Sequence, residues 1–122
     1  MDFERYKKMN DDKPGFGELA GATVAHSYKN DACGDGYVIY LKVKDGFIED
    51  AKYTTSGCGF GLAALEVATR LVKGKRLEEA AKLSAADIEA DFAFPERRKT
   101  YPEIVSAAVR EAVEEARGKA AA

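Results

Sequence analysis

The hydrophobic pattern changes from strand to helix period at Gly57-Cys58-Gly59, and that change limits what the chain can build. Before it, residues 37–43 form a β-prone run containing Val38, Tyr40 and Leu41, with Lys42 and Lys44 alternating against apolar positions. Asp45-Gly46 is a strong hairpin dipeptide, and Phe47 to Thr55 reads as the returning strand. A weaker strand pattern runs from Gly21 to about Tyr28. These segments predict an antiparallel meander with one wet face. After the change, Phe60, Leu62, Ala63, Leu65, Ala68, Leu71 and Val72 recur at helical spacing, and Lys73-Gly74-Lys75 closes that helix. Strands first and helices afterwards is an α+β order, a small antiparallel sheet of about three strands packed against C-terminal helices.

The remaining helices carry their own signals. Residues 1–10 have helical potential, with Phe3 and Tyr6 as a short apolar edge, and Asn10 to Gly15 reads as a turn. Leu77 to Leu83 predicts a short helix, and Ser84 with Asp87 three residues on predicts a capped one. Pro95 punctuates. Thr100 with Glu103 predicts a reciprocal cap on the last helix, whose apolar stripe is Ile104, Val105, Ala108, Val109, Ala112, Val113 and Ala116. With 122 residues, no internal repeat and 46% apolar content, the expectation is one soluble globular domain over 1–122. A net charge of −2 gives no reason to expect nucleic acid or a membrane as partner. The opening Met1-Asp2-Phe3-Glu4-Arg5 lacks the pattern of a secretory signal, so a cytoplasmic location with both cysteines as thiols is expected.

Three places could carry chemistry. In Ala32-Cys33-Gly34-Asp35 a thiol and a carboxylate two residues apart point the same way if the segment is extended. In Gly57-Cys58-Gly59 the thiol stands at a predicted helix N-terminus, where unpaired amides and the helix dipole favour a thiolate by about 0.3–1 kcal/mol. Thr100-Tyr101 begins the last helix. Taken singly, each has a plainer reading: Asp35 as a solvated loop carboxylate, Tyr101 as a packing aromatic, His26 as a partly packed surface residue, the cysteines as ordinary thiols. The sequence holds no CxxC or HxxxH pattern to complete a zinc site, no phosphate-loop motif, and no base beside either thiol to suggest an enzyme.

Taken together, these residues resemble the IscU-type and NifU N-terminal-type iron–sulfur scaffolds. The resemblance is carried by Ala32-Cys33-Gly34-Asp35, by Asp45 to Tyr53, by Thr55-Ser56-Gly57-Cys58-Gly59, and by Leu71-Val72-Lys73-Gly74-Lys75 with Leu77 to Ala80. It continues more loosely through Ala107 to Val113. It implies a three-stranded sheet packed against helices and a labile [2Fe-2S] cluster at one exposed end, with Cys33 and Cys58 as ligands and Asp35 as the exchangeable acid. It also implies a cysteine desulfurase as sulfur donor and acceptor apo-proteins as recipients. The chain departs from the family where a His-Cys pair should open the last helix, because Thr100 and Tyr101 stand there. The Hsp70-recognition stretch falls on Phe94-Pro95-Glu96-Arg97-Arg98 and keeps little beyond one proline and a terminal basic residue, so no such chaperone is assumed. Three readings follow. The chain binds iron or a cluster, completed by Asp35 and Tyr101 or by pairing thiols across a homodimer; or it is a docking paralogue without a cluster; or Cys33, Asp35 and Cys58 hold a single metal such as zinc.

Overall fold

The computed structural model describes residues 1–29 and 36–121. Its elements are α1 (Phe3–Asp11), β1 (Val24–Lys29), β2 (Gly36–Lys44), β3 (Phe47–Thr55), α2 (Gly59–Val72), α3 (Leu77–Ala80), α4 (Ala85–Asp91), a 3-10 turn (Glu96–Arg98) and α5 (Thr100–Ala121). The three strands form one antiparallel sheet in the order β1-β2-β3. The β2–β3 turn has Asp45 at φ 54° and Gly46 at φ 81°, the two left-handed positions that a tight two-residue hairpin requires.

Side chains alternate along the strands, and Val24, Ile39, Leu41 and Tyr53 share the buried face. Register is kept by a bulge: Lys42 pairs with Asp50, but Val43 pairs with Ile48, leaving Glu49 as the extra residue. Ile48 and Ala51, an odd number of positions apart, would otherwise face opposite ways. The bulge turns both inward.

Helices α2 and α5 cover that face. From Gly61 to Thr69 every residue of α2 is buried, and the predicted stripe of α5 is buried from Val105 to Ala116, with Ile104 half-buried at its edge. Alanines at Ala63, Ala64 and Ala68 on α2 and at Ala108, Ala112 and Ala116 on α5 belong to the same core. The outer edge of β3 is closed at two places. Gly15 and Gly17 bond to Tyr53 as a short parallel bridge, and Gly74 to Leu77 bond to Gly46 and Ile48 at the other end.

One carboxylate inside this core holds the bridge in place. Glu66 is 8% exposed, and its Oε1 accepts the Tyr53 hydroxyl at 2.7 Å and the Gly15 amide at 2.9 Å. Burial and the nearby Glu66 carboxylate push the Tyr53 phenol well above its usual range, because both oppose a second negative charge.

The Ser84–Asp87 box forms as expected, with Asp87 N to Ser84 Oγ at 3.2 Å and Ser84 N to Asp87 Oδ2 at 3.0 Å. Two expectations need correction. The helix predicted over 77–83 ends at Ala80, and Lys82 and Leu83 continue with tighter i→i+3 bonds. Thr100 is not an N-cap: Lys99 already has helical backbone (φ −69°, ψ −12°), so α5 is entered straight from the 3-10 turn with Thr100 inside it. An N-cap needs extended backbone at the capping residue, which this entry does not provide.

Tyr53→Phe should lower stability at neutral pH by about 1–3 kcal/mol, since Glu66 loses a buried donor. Because the folded pKa of Tyr53 is raised, its contribution is present below the ordinary tyrosine value near 10 and falls as pH rises beyond it. Urea titrations from pH 7 to 11 should therefore show an alkaline loss of stability that is smaller in Tyr53→Phe.

Candidate functional site

Cys58 is the residue on which sheet turns into helix. Gly57 donates to Thr55 Oγ1 at 3.0 Å to shape the turn, and the Cys58 carbonyl accepts Leu62 N at 3.1 Å as the first bond of α2. Its backbone is extended (φ −78°, ψ 171°), as an N-cap requires, yet its side chain makes no capping bond. The thiol instead donates to the Tyr101 hydroxyl at 3.0 Å. A contact between residues so distant in sequence exists because α2 and α5 start side by side.

The surroundings are aromatic. The Tyr101 ring stands over Gly61, and Phe60 lies between Tyr101 at 6.4 Å and Tyr6 at 4.9 Å between centroids. The Arg98 guanidinium sits 5.2 Å above the Phe60 ring. From α1, Asn10 Nδ2 reaches the Gly59 carbonyl at 3.3 Å, while the Tyr6 hydroxyl occupies the space where a side chain on Gly59 would begin. Burial first, and then the charge of Cys58, raise the Tyr6 phenol above its usual range, with Arg98 acting in the opposite sense.

Of the four residues singled out in the sequence, the structure brings Cys58 and Tyr101 together, with Cys58 exposed and Tyr101 half-buried. Cys33 and Asp35 lie outside the described residues. The described positions on either side of them, Lys29 and Gly36, are paired at the end of the sheet where Gly36 O accepts Ser56 N at 3.4 Å, two residues before Cys58. His26 is engaged elsewhere: its ring nitrogens lie 3.1 Å from Glu115 and 3.3 Å from Glu111, tying β1 to α5. Among the described residues no three His, Cys, Asp or Glu side chains converge as a metal site. A cleft of about 390 Å³ between α2, α3 and α4, floored by Leu71, Val72, Ala80 and Leu83, has Glu79 and Asp87 in its lining but not Cys58, Tyr101 or His26.

The sequence gives no sign that Tyr6, Asn10 and Arg98 pack on Gly59 and Phe60, the two residues after Cys58. The pattern of Tyr6 and Asn10 was available, because residues four apart share one face of a helix. Which element that face would meet was not.

A family model described as the NifU-like N terminal domain matches residues 7–122. The iron–sulfur cluster assembly scaffold protein IscU of Archaeoglobus fulgidus is 37% identical over 98 residues, covering 80% of this chain and 64% of that protein. The Escherichia coli protein of the same name is 43% identical over 65 residues, covering 52% of this chain and 51% of its own length. The chain thus spans between half and two thirds of these relatives. In fold it superposes on the crystal structure of a nitrogen-fixing NifU-like protein (N-terminal) from Brucella abortus with a TM-score of 0.72, at 19% identity, covering 95% of this chain and 94% of the other.

The Cys58 thiol is exposed, so it stays in reach of water when the Tyr101 hydroxyl is removed. Tyr101→Phe should stay within about 1 kcal/mol of the parent in urea unfolding. A larger loss would make Tyr101 a structural residue first.

Proposed function

The chain belongs to the NifU-like N-terminal domain family, and on that footing we propose that it is a scaffold for iron–sulfur cluster assembly. Its cargo is iron or a labile [2Fe-2S] cluster, passed to acceptor apo-proteins, with sulfur supplied by a cysteine desulfurase. The observation that carries this reading is the Cys58–Tyr101 contact. A family site short of its third thiol has, at the matching position, an oxygen donor within 3.0 Å of a remaining one.

The donor set follows from coordination chemistry. A [2Fe-2S] centre takes four protein ligands. We assign them to Cys33, Asp35, Cys58 and Tyr101 of a single subunit. Two thiolates supply the soft donors that iron–sulfur clusters favour, while a carboxylate and a phenolate are harder oxygen donors. Half-oxygen ligation suits a cluster that is held briefly and handed on. The pairing of Gly36 with Ser56 supports this assignment, since it anchors one end of the segment bearing Cys33 and Asp35 beside the turn bearing Cys58. The reading makes the chain a carrier and not a catalyst. Among the described residues no helix is long and apolar enough to cross a membrane.

Anaerobic reconstitution with ferrous iron, sulfide and reductant tests it, read by visible absorption, Mössbauer spectroscopy and native mass. The expected product is a [2Fe-2S] signature on the monomer, abolished by Cys58→Ala and shifted by Tyr101→Phe. A cluster confined to dimers and indifferent to Tyr101→Phe would assign the ligands to thiols shared between subunits. Binding of zinc alone would indicate a mononuclear site. Absence of metal with retained affinity for a desulfurase would leave a docking protein.

A further inference from the structure

Helix α1 buries none of its own residues, and a helix of nine residues is not stable by itself. Its described anchors are few. Arg5 pairs with Asp91, and Tyr6 and Asn10 both meet the residue that follows Cys58. A methyl group on Gly59 would lie 2.8 Å from Asn10 Oδ1 and 3.2 Å from Tyr6 Cζ, with the Tyr6 hydroxyl closer still. Gly59 is therefore a seat, and α1 sits on it through two side chains four residues apart.

This matters because Cys58 has glycine on both sides. Glycine gives up more conformational freedom on ordering than any other residue, so a thiol between two of them has no intrinsic direction. Its own side chain makes no capping bond to fix it. The order has to come from outside the segment. Phe60, next along, is packed against the Tyr6 ring at 4.9 Å, so the two residues that follow Cys58 are held from one side by α1.

We propose that Tyr6 and Asn10 are positioning residues for Cys58: by clamping Gly59 they fix the backbone that aims the thiol at Tyr101, and they cover the inner side of the turn. For its functional meaning the proposal rests on Cys58 being a ligand of the cargo, but the clamp itself is a property of the apo-protein and is tested there.

In a Cys33→Ser background Cys58 is the only thiol, and its alkylation by iodoacetamide at one fixed pH can be followed by intact mass. Tyr6→Phe and Asn10→Ala should each speed the reaction by about threefold or more, with unchanged far-UV circular dichroism, because the turn regains freedom and the thiol leaves Tyr101. Gly59→Ala should do the same in the parent. Combined with Tyr6→Phe, its added effect should shrink to less than about twofold, because the methyl group takes the space of the missing hydroxyl. Rates equal to the parent in folded variants, or effects of Gly59→Ala and Tyr6→Phe that simply multiply, would overturn the clamp. Cobalt(II) titration of the same variants with Cys33 restored separates the two readings. Weakened binding in Asn10→Ala supports the clamp as a determinant of the site. A parent that binds no cobalt counts against metal binding at Cys58, while the alkylation result still decides the clamp.

Discussion

Helices α2 and α5 lie together across the inner face of a three-stranded sheet, with alanines among the core residues of each. Small side chains let helix backbones approach closely, and the apolar surface removed from water stabilises the fold by roughly 25 cal/mol per Å². Everything at the candidate site depends on this packing. It sets the first turn of α5 beside the first turn of α2, so that Tyr101 stands over Gly61 and meets the Cys58 thiol. Register matters as much as proximity. One residue of rotation in α5 would move Tyr101 by about 100° around the helix axis, since a turn holds 3.6 residues.

The second constraint is polar. Glu66 lies within the otherwise apolar stretch of α2, and a buried carboxylate is costly unless hydrogen-bonded. Tyr53 and Gly15 supply the bonds, and in doing so they fasten the segment after α1 to the edge of β3. The position of α1 is thus fixed from both of its ends, by Glu66 through Gly15 and by Asp91 through Arg5. Between those anchors α1 lies on the turn that carries Cys58. Edge closure of the sheet and the surroundings of the thiol are in this sense one arrangement.

In the proposed ligand set a phenol stands where the resemblance implies a third thiol, which changes the chemistry more than the shape. A tyrosine hydroxyl is a harder donor than a thiolate and must lose a proton of pKa near 10 before it ligates well. The structure sets the Tyr101 hydroxyl beside the Cys58 thiol, with the Phe60 ring next to it and the Arg98 guanidinium over Phe60. The His-Cys pair that the resemblance calls for is absent here, and His26 offers no replacement, being bound to Glu111 and Glu115 on α5.

Much of this was legible without coordinates, and the reasons are local. The Asp45-Gly46 turn, the Ser84–Asp87 box and the stripe from Val105 to Ala116 are written in residues a few positions apart, where dihedral preference and helical or strand period act directly. Where local signals misled, tertiary entry geometry had overridden them: Thr100 has the chemistry of a cap, but the 3-10 turn delivers it already helical. The sequence alone determined the order of strands and helices, the period change at Cys58 and the identity of the thiols. Only the tertiary structure decided that Tyr101 faces Cys58 and that Tyr6 and Asn10 close over Gly59. Those contacts join residues distant along the chain, and their geometry is set by how whole helices pack, which no local pattern encodes.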